Sequence, residues 1–345
     1  MEAPGEKLII KLWETLIEKG IGSLLGPWQI KREGRARIEV RREELLTLAQ
    51  VESEVADIRA GRKHLDLAGS VRLIPGPAVG PVPTHVDDAG HAEPTLDFQS
   101  VAKLALSYSA ADAVRGEINT SKAVIFAEDI LSNDSQIPPE RPIDEDWLFT
   151  WRDFAGKVST EDLQRLWGSI LAGEVKSPGS FSIRTLEFLR GLSKSDADQI
   201  SQLARYVVEG CIIRSQSQHL ETHGMPFSKL LEMQDLGLLS GVEAVGLTRQ
   251  YRTATPNKFL LPLRSHGKAL LVENDDATKE LSLAVYLLTS VGAQLLGLGS
   301  FEPDVEYLRL IGKEIIGKGF AVQLADWKPI SEKRGHYFNA EKIDA

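Results

Sequence analysis

The stretch from Gly69 to Pro94 limits what this chain can fold into more than any other feature. Pro75, Pro77, Pro81, Pro83 and Pro94 fall within it beside four glycines, and large apolar side chains are few. Proline brings no N–H to a helix or a sheet ladder, and a segment so poor in apolar surface cannot offset the entropy lost on ordering. A flexible linker over 67–97 is therefore expected, separating a short N-terminal part, 1–66, from a long C-terminal one. A chain of 345 residues exceeds the usual single core, which agrees with a division into domains.

In the N-terminal part, Leu8, Ile9, Leu12, Trp13, Leu16, Ile17, Ile21 and Leu24 recur at helical spacing, with Lys7, Lys11, Glu14, Glu18 and Lys19 on the opposite face. Gly26 and Pro27 end this amphipathic helix. From Lys31 to Lys63 there is no proline, and Leu45, Leu48, Val51, Val55 and Ile58 step by three or four residues. The pattern predicts a long helix with a narrow apolar seam, suited to a helical hairpin with the first helix or to self-association through a short coiled coil. Trp13 and Trp28 lie near a basic run that includes Arg32 and Arg35, and tryptophan beside basic residues suits an amphipathic helix on an anionic membrane surface. Glu14 and Glu18 dilute that face, which favours packing within the protein's own bundle. Leu12, Trp13, Leu16, Trp28, Arg32 and Arg35 are the candidate interaction residues here, toward a second copy, a protein partner or a membrane surface.

Beyond the linker the chain is expected to be helical over 98–215. Asn119, Thr120 or Ser121 can cap a helix carrying Val124, Ile125, Phe126, Ile130 and Leu131, and Asp144 opens one with Trp147, Leu148, Trp151 and Phe154. Ser159 with Asp162 resembles a capping box ahead of Leu163, Leu166, Trp167 and Ile170. Ser182 and Ser193 start two further helices. The three tryptophans share faces with Leu and Phe and belong in a core. Over 216–330 a helix from Phe227, a turn at Gly237, β runs at Lys268–Glu273 and Leu281–Leu288, and helices after Thr289 and from Val305 follow the order of a winged-helix-like α+β module. Residues 331–345 are expected to form a disordered tail. The fold class is mainly α: an N-terminal helical hairpin, a Pro/Gly linker, and a C-terminal helical domain ending in that module.

The run Asp144, Glu145, Asp146, Trp147, the block from Leu166 to Glu174, and the block Pro178, Gly179, Ser180, Phe181, Ser182, Ile183, Arg184, Thr185, Leu186 together resemble the bacterial family known as domain of unknown function 2806. Leu236–Leu239 and the group Leu288, Thr289, Gly292, Leu295 fit the same pattern, which covers roughly residues 100–330. The order Trp167, Pro178, Leu192 with Ser193 and Asp196, then Leu288 with Thr289 and Gly292, is more loosely similar to the abortive-infection alpha proteins. That second likeness implies a role in phage defence. Neither resemblance carries a catalytic residue onto this chain.

Within the family-like block, Glu174, Ser180, Ser182, Arg184 and Thr185 form a polar loop that can bind a ligand or a partner. The structural alternative is an ion pair between Glu174 and Arg184 with Ser182 as a helix cap. His219 and His223 lie four apart and can share a helical face, as metal ligands do. No third ligand is evident nearby in sequence, and Gly224 with Pro226 points to a solvated turn, so no metal is expected. The acidic groups Asp144–Asp146, Glu128 with Asp129, and Asp275 with Asp276 sit where helix starts and turns favour acids.

A net charge of −9 speaks against nucleic acid as a partner, since affinity for phosphate rests on Lys and Arg, and the helix from Phe227 offers only Lys229 against Glu232 and Asp235. Cys211 is the only cysteine, so no internal disulfide and no cysteine-based zinc site can form, which suits a reducing cytoplasm. Charges at Lys11, Glu14, Glu18 and Lys19 break the most apolar early run, so neither a secretory segment nor a spanning helix is expected. These readings together predict a cytoplasmic, non-enzymatic sensor or effector of the phage-defence kind without a cofactor, or else an oligomeric adaptor.

Overall fold

A computed structural model describes residues 5–21, 37–60, 62–65, 71–73, 84–86, 92–94, 98–243, 247–331 and 334–344. The chain divides into two compact units, Met1–Phe181 and Ser182–Ala345. The division falls inside the helical region expected over 98–215, because the helices after Ser182 pack with the later strands and helices.

The first unit is built on helices. Helix α1 (Glu6–Glu18) is followed by α2 (Arg37–Arg59), two short antiparallel strand pairs, and a 35-residue α3 (Phe98–Ser132). The pairs are β1 (Lys63–Leu65) with β2 (Val71–Leu73), and β3 (Thr84–Val86) with β4 (Ala92–Pro94). Strands β2, β3 and β4 thus fall within 67–97, the span expected as a flexible linker. Helices α4 (Glu145–Ala155) and α5 (Glu161–Lys176) complete the unit. Trp151 and Trp167 are at its centre: the Trp151 indole Nε1 donates to the Trp167 carbonyl at 2.9 Å, and Phe154 meets Trp167 edge-on at 5.9 Å.

The hairpin partner of α2 is α3 rather than α1. Leu48, Val55 and Ile58 of the seam are buried, and Glu52 pairs with Lys122 at 2.9 Å while Arg59 pairs with Asp112 at 2.9 Å, an antiparallel register. A narrow seam needs only one neighbouring helix, and α3 is long enough to supply it. Asn119, Thr120 and Ser121 cap nothing. They are buried in the middle of α3, where Asn119 donates to the Gly156 carbonyl at 2.9 Å and accepts from Gln164 at 3.2 Å. Asp144 caps α4 through the Trp147 N–H, whereas α5 begins after Thr160 with no side-chain cap, so Ser159 and Asp162 form no capping box. Gly168 lets α5 cross α3: a Cβ there would sit 2.7 Å from the Ala123 carbonyl oxygen and 2.7 Å from Phe126 Cβ.

The second unit opens with α6 (Ile183–Gly191), capped by Ser182, and α7 (Lys194–Ala204), whose Ser193 and Asp196 form a complete capping box. Strand β5 (Cys211–Ile213) precedes α8 (Ser217–Thr222) and α9 (Phe227–Asp235). Gly237 turns the chain at φ 79°, as expected after a helix. The strands β6 (Leu239–Ser240), β7 (Leu247–Tyr251), β8 (Phe259–Ser265), β9 (Lys268–Asn274) and β10 (Leu281–Leu288) follow. Helices α10 (Ser290–Leu296), capped by Thr289, and α11 (Val305–Gly317) lead to β11 (Ala321–Ser331) and β12 (Arg334–Lys342).

Two antiparallel sheets result. In one, β10 is central between β5 on one side and β6 with β7 on the other; the second has the order β12-β11-β9-β8. The β runs at Lys268–Glu273 and Leu281–Leu288 therefore do not pair with each other. Strand β9 instead makes a tight hairpin with β8 through His266 and Gly267, with Ser265 opposite Lys268 and His266 at φ 53°. The expected disordered tail is in fact β12, an outer strand of this sheet, with Trp327 of β11 directly opposite Tyr337.

Helix α11 covers one face of the second sheet, where Phe259, Leu263, Leu270, Val272, Val322 and Leu324 are buried. The β8 edge is closed against further pairing. Leu260 N–H donates to Thr253 Oγ1 at 3.1 Å, Pro262 has no N–H, and Arg264 N–H donates to the Glu209 carboxylate at 3.1 Å.

Candidate functional site

The structure separates the residues that the sequence groups as interaction candidates. Leu12, Trp13 and Leu16 face α3 and α5 and are buried in the first unit, so they serve packing; Trp28, Arg32 and Arg35 lie outside the described residues. No helix among the described residues is long and apolar enough to cross a membrane.

Glu174, on the last turns of α5, is buried and does not reach Arg184 as an ion pair. Its carboxylate accepts from the Gly179 N–H and, at 3.1 Å, from the Phe181 N–H, so it organises the turn from Ser177 to Phe181. Burial raises its pKa above the ordinary glutamate value, and the backbone donors only partly offset that. Arg184, the second residue of α6, is exposed. Ser182 donates through its N–H to Gln294 Oε1 at 3.0 Å and through its hydroxyl at 3.2 Å, and Thr185 donates to the same oxygen. The side-chain amide of Gln294 thus ties α6 to α10, a role invisible in sequence because 112 residues separate Ser182 from Gln294. Glu174 is thus committed to its own turn, and Ser182 and Thr185 to the link with α10.

A second polar cluster gathers around α8. His219 is 8% exposed, and its ring stacks on that of His223 with centroids 4.0 Å apart and planes 23° apart. His219 Nε2 is 3.4 Å from Asp304 Oδ1 and makes no hydrogen bond. Asp304 caps α11 through the Tyr307 N–H at 2.9 Å. Tyr206 and Tyr307 enclose the His219 ring at 6.3 Å and 5.9 Å. The Tyr307 hydroxyl bonds the β5 backbone, accepting from Ile213 N–H at 2.7 Å and donating to the Ile213 carbonyl at 3.2 Å; burial pushes its pKa far above that of an ordinary phenol. Glu306 on the first turn of α11 completes a group in which His219, His223 and Glu306 each bring one ligand-type atom within 4.8 Å of the others. The i,i+4 histidines are legible in sequence, but the third and fourth members are not, being more than eighty residues away.

Cys211 is fully buried, and Arg249 Nη1 lies 3.0 Å from its sulfur and 2.8 Å from the Glu209 carbonyl. Glu209 in turn holds Arg264. Burial raises the Glu209 pKa, but hydrogen bonds from Arg264 outweigh it and the net effect is a lowering.

The face of the second sheet opposite α11 carries an apolar groove beside a small buried cluster of Ala269, Leu271 and Ala325, against which Trp327 packs. Leu260, Pro262, Leu271, Trp327, Gly335 and Tyr337 line a groove, with Leu260 39% and Tyr337 57% exposed. The Trp327 indole lies over Gly335. Sequence reading misses this groove because β8 and β12 escape it, although the alternation around His266-Gly267 is the available signal.

The model of a family described as a protein of unknown function, domain of unknown function 2806, matches residues 119–211. That span is similar to the family and runs from the middle of α3 to the first residue of β5, including the α3–α5 crossing at Gly168 and the Glu174 turn. No curated protein and no solved structure matches the chain.

Proposed function

We propose that this chain is a non-enzymatic, cytoplasmic adaptor that self-associates through the apolar groove on the face of its C-terminal sheet opposite α11. One observation carries the reading: a groove lined by Leu260, Leu271, Trp327 and Tyr337 is open at the surface of a sheet whose nearer edge is closed to strand addition. Aromatic side chains around aliphatic ones are the composition of an interface core. A second copy suits the groove because its rim carries both signs of charge, Lys258 and Glu273 lying 3.6 Å apart, so a twofold contact can set the cation of one copy against the anion of the other. The commitment of Glu174, Ser182 and Thr185 to local structure supports a binding role over catalysis.

Light scattering on the purified chain at micromolar concentration tests this. The wild type is expected to be a dimer, and Leu260→Glu with Tyr337→Glu a monomer of unchanged thermal stability. A monomeric wild type, or an assembly that survives both substitutions, overturns the reading.

A second reading, a phage-defence sensor or effector, is favoured by the order of the tryptophan, proline and Leu-Thr-Gly motifs. Identical plating of diverse phages with and without the intact gene would remove it. Nucleic acid stays outside both readings: Lys229, the one cation of α9, is engaged by Gln202 at 3.3 Å and the Gly224 carbonyl at 3.0 Å, so the winged-helix-like order of elements has no basic helix to read bases.

A further inference from the structure

We propose that His219, His223 and Glu306 form a binding site for a divalent transition metal ion of the zinc type, with Asp304 as a positioning residue behind it. Two imidazoles and a carboxylate, with the fourth position open to water, are a donor set that such ions accept. The three ligand atoms already lie within 4.8 Å of one another, against the roughly 3.3 Å between ligands held at about 2.0–2.1 Å in a tetrahedron. His223 and Glu306 are both exposed, so the closing movement falls on side chains that packing does not restrain.

Two further observations separate this cluster from a chance meeting of surface groups. First, His219 is more than nine-tenths buried, so packing fixes one imidazole of the group in place. Second, each histidine has an oxygen beside the ring nitrogen left for an outer contact, hydrogen-bonded already at His223 and 3.4 Å away at His219. His223 Nδ1 lies 2.9 Å from the His219 carbonyl oxygen, which can only accept, so Nδ1 carries the proton and Nε2 keeps the lone pair for the ion. Asp304 Oδ1, 3.4 Å from His219 Nε2, is placed to take that N–H once Nδ1 is ligated, and Arg205 lies 3.8 Å from the other Asp304 oxygen. Bound there, the ion joins the end of α8 to the first turn of α11, where the carboxylates of Asp304 and Glu306 offset the positive end of the helix.

The test uses the full chain, stripped with a chelator and dialysed, with zinc chloride titrated in by calorimetry. One ion per chain is expected. His223→Ala and Glu306→Gln should each weaken binding by roughly 10-fold or more, and Glu221→Ala, an exposed acid on the same turn, should leave it unchanged. Cobalt(II) should give the visible absorption of a tetrahedral site in the wild type and lose it in His223→Ala. The altered side chains are exposed, so circular dichroism should show the wild-type fold in each variant. Absence of saturable binding up to about 100 μM zinc, or binding unchanged in His223→Ala and Glu306→Gln, overturns the assignment. Because stoichiometry is counted per chain, the result is independent of whether the chain dimerises.

Discussion

Truncating Leu12 to alanine tests whether α1 is a fixed part of the first unit or a helix held ready for another surface. Leu8, Leu12 and Leu16 are fully buried and Trp13 and Ile9 nearly so, against α3 and α5. Burying one such side chain contributes about 1.5–3 kcal/mol, so the five together contribute roughly 8–15 kcal/mol as an upper bound. The entropy of ordering the helix opposes this, so a single truncation in α1 shifts a narrow balance. Leu12→Ala should therefore cost about 2–5 kcal/mol through lost transfer energy and a cavity. At about 2–4 °C per kcal/mol for a unit of this size, the melting temperature should fall by roughly 4 °C or more. Differential scanning calorimetry gives the shift, and hydrogen exchange read by mass spectrometry assigns it to α1 and α3. In the same preparation the wild type should not pellet with anionic liposomes. An unchanged melting temperature, together with α1 amides that exchange as freely as an open chain, would refute the packing argument and return Leu12, Trp13 and Leu16 to the role of an exposed interaction face.

Gly168→Ala should destabilise the first unit by about 1–3 kcal/mol despite the better helix propensity of alanine, because its Cβ meets α3 backbone; urea titration followed by tryptophan fluorescence measures it. Glu209→Gln should cost about 1–3 kcal/mol at neutral pH by weakening the hydrogen bonds to Arg264. Since the folded pKa of Glu209 is lowered, its contribution is present above the ordinary value of 4.5 and is lost as pH falls through the folded value; the gap between variant and wild type should close in acid, and a gap that persists there contradicts the assignment.

Much of this protein is determined by local chemistry and is therefore legible in the chain itself. The helices at Glu6, Glu145, Ile183, Lys194, Ser290 and Val305 follow from apolar periodicity, and several of their starts from a capping Asp, Ser or Thr whose oxygen meets a free N–H one turn on. The core tryptophans follow from sharing a helical face with Leu and Phe. What the sequence could not decide was which distant surfaces meet. The seam of α2 can fit α1, a second copy or α3 equally well by spacing, and only the length and placement of α3 selects it. Leu281–Leu288 has the same strand signal whether it pairs with Lys268–Asn274 or with Cys211–Ile213, and the two-residue turn at His266-Gly267 gives Lys268–Asn274 to β8 instead. Glu174 finds backbone N–H groups five and seven residues on in place of Arg184, because a buried carboxylate gains more from two close donors than from a solvated guanidinium. His219 and His223 share a helical face by their spacing alone, but Glu306 and Asp304 reach them only because α11 packs beside α8, and that meeting is a property of the folded chain.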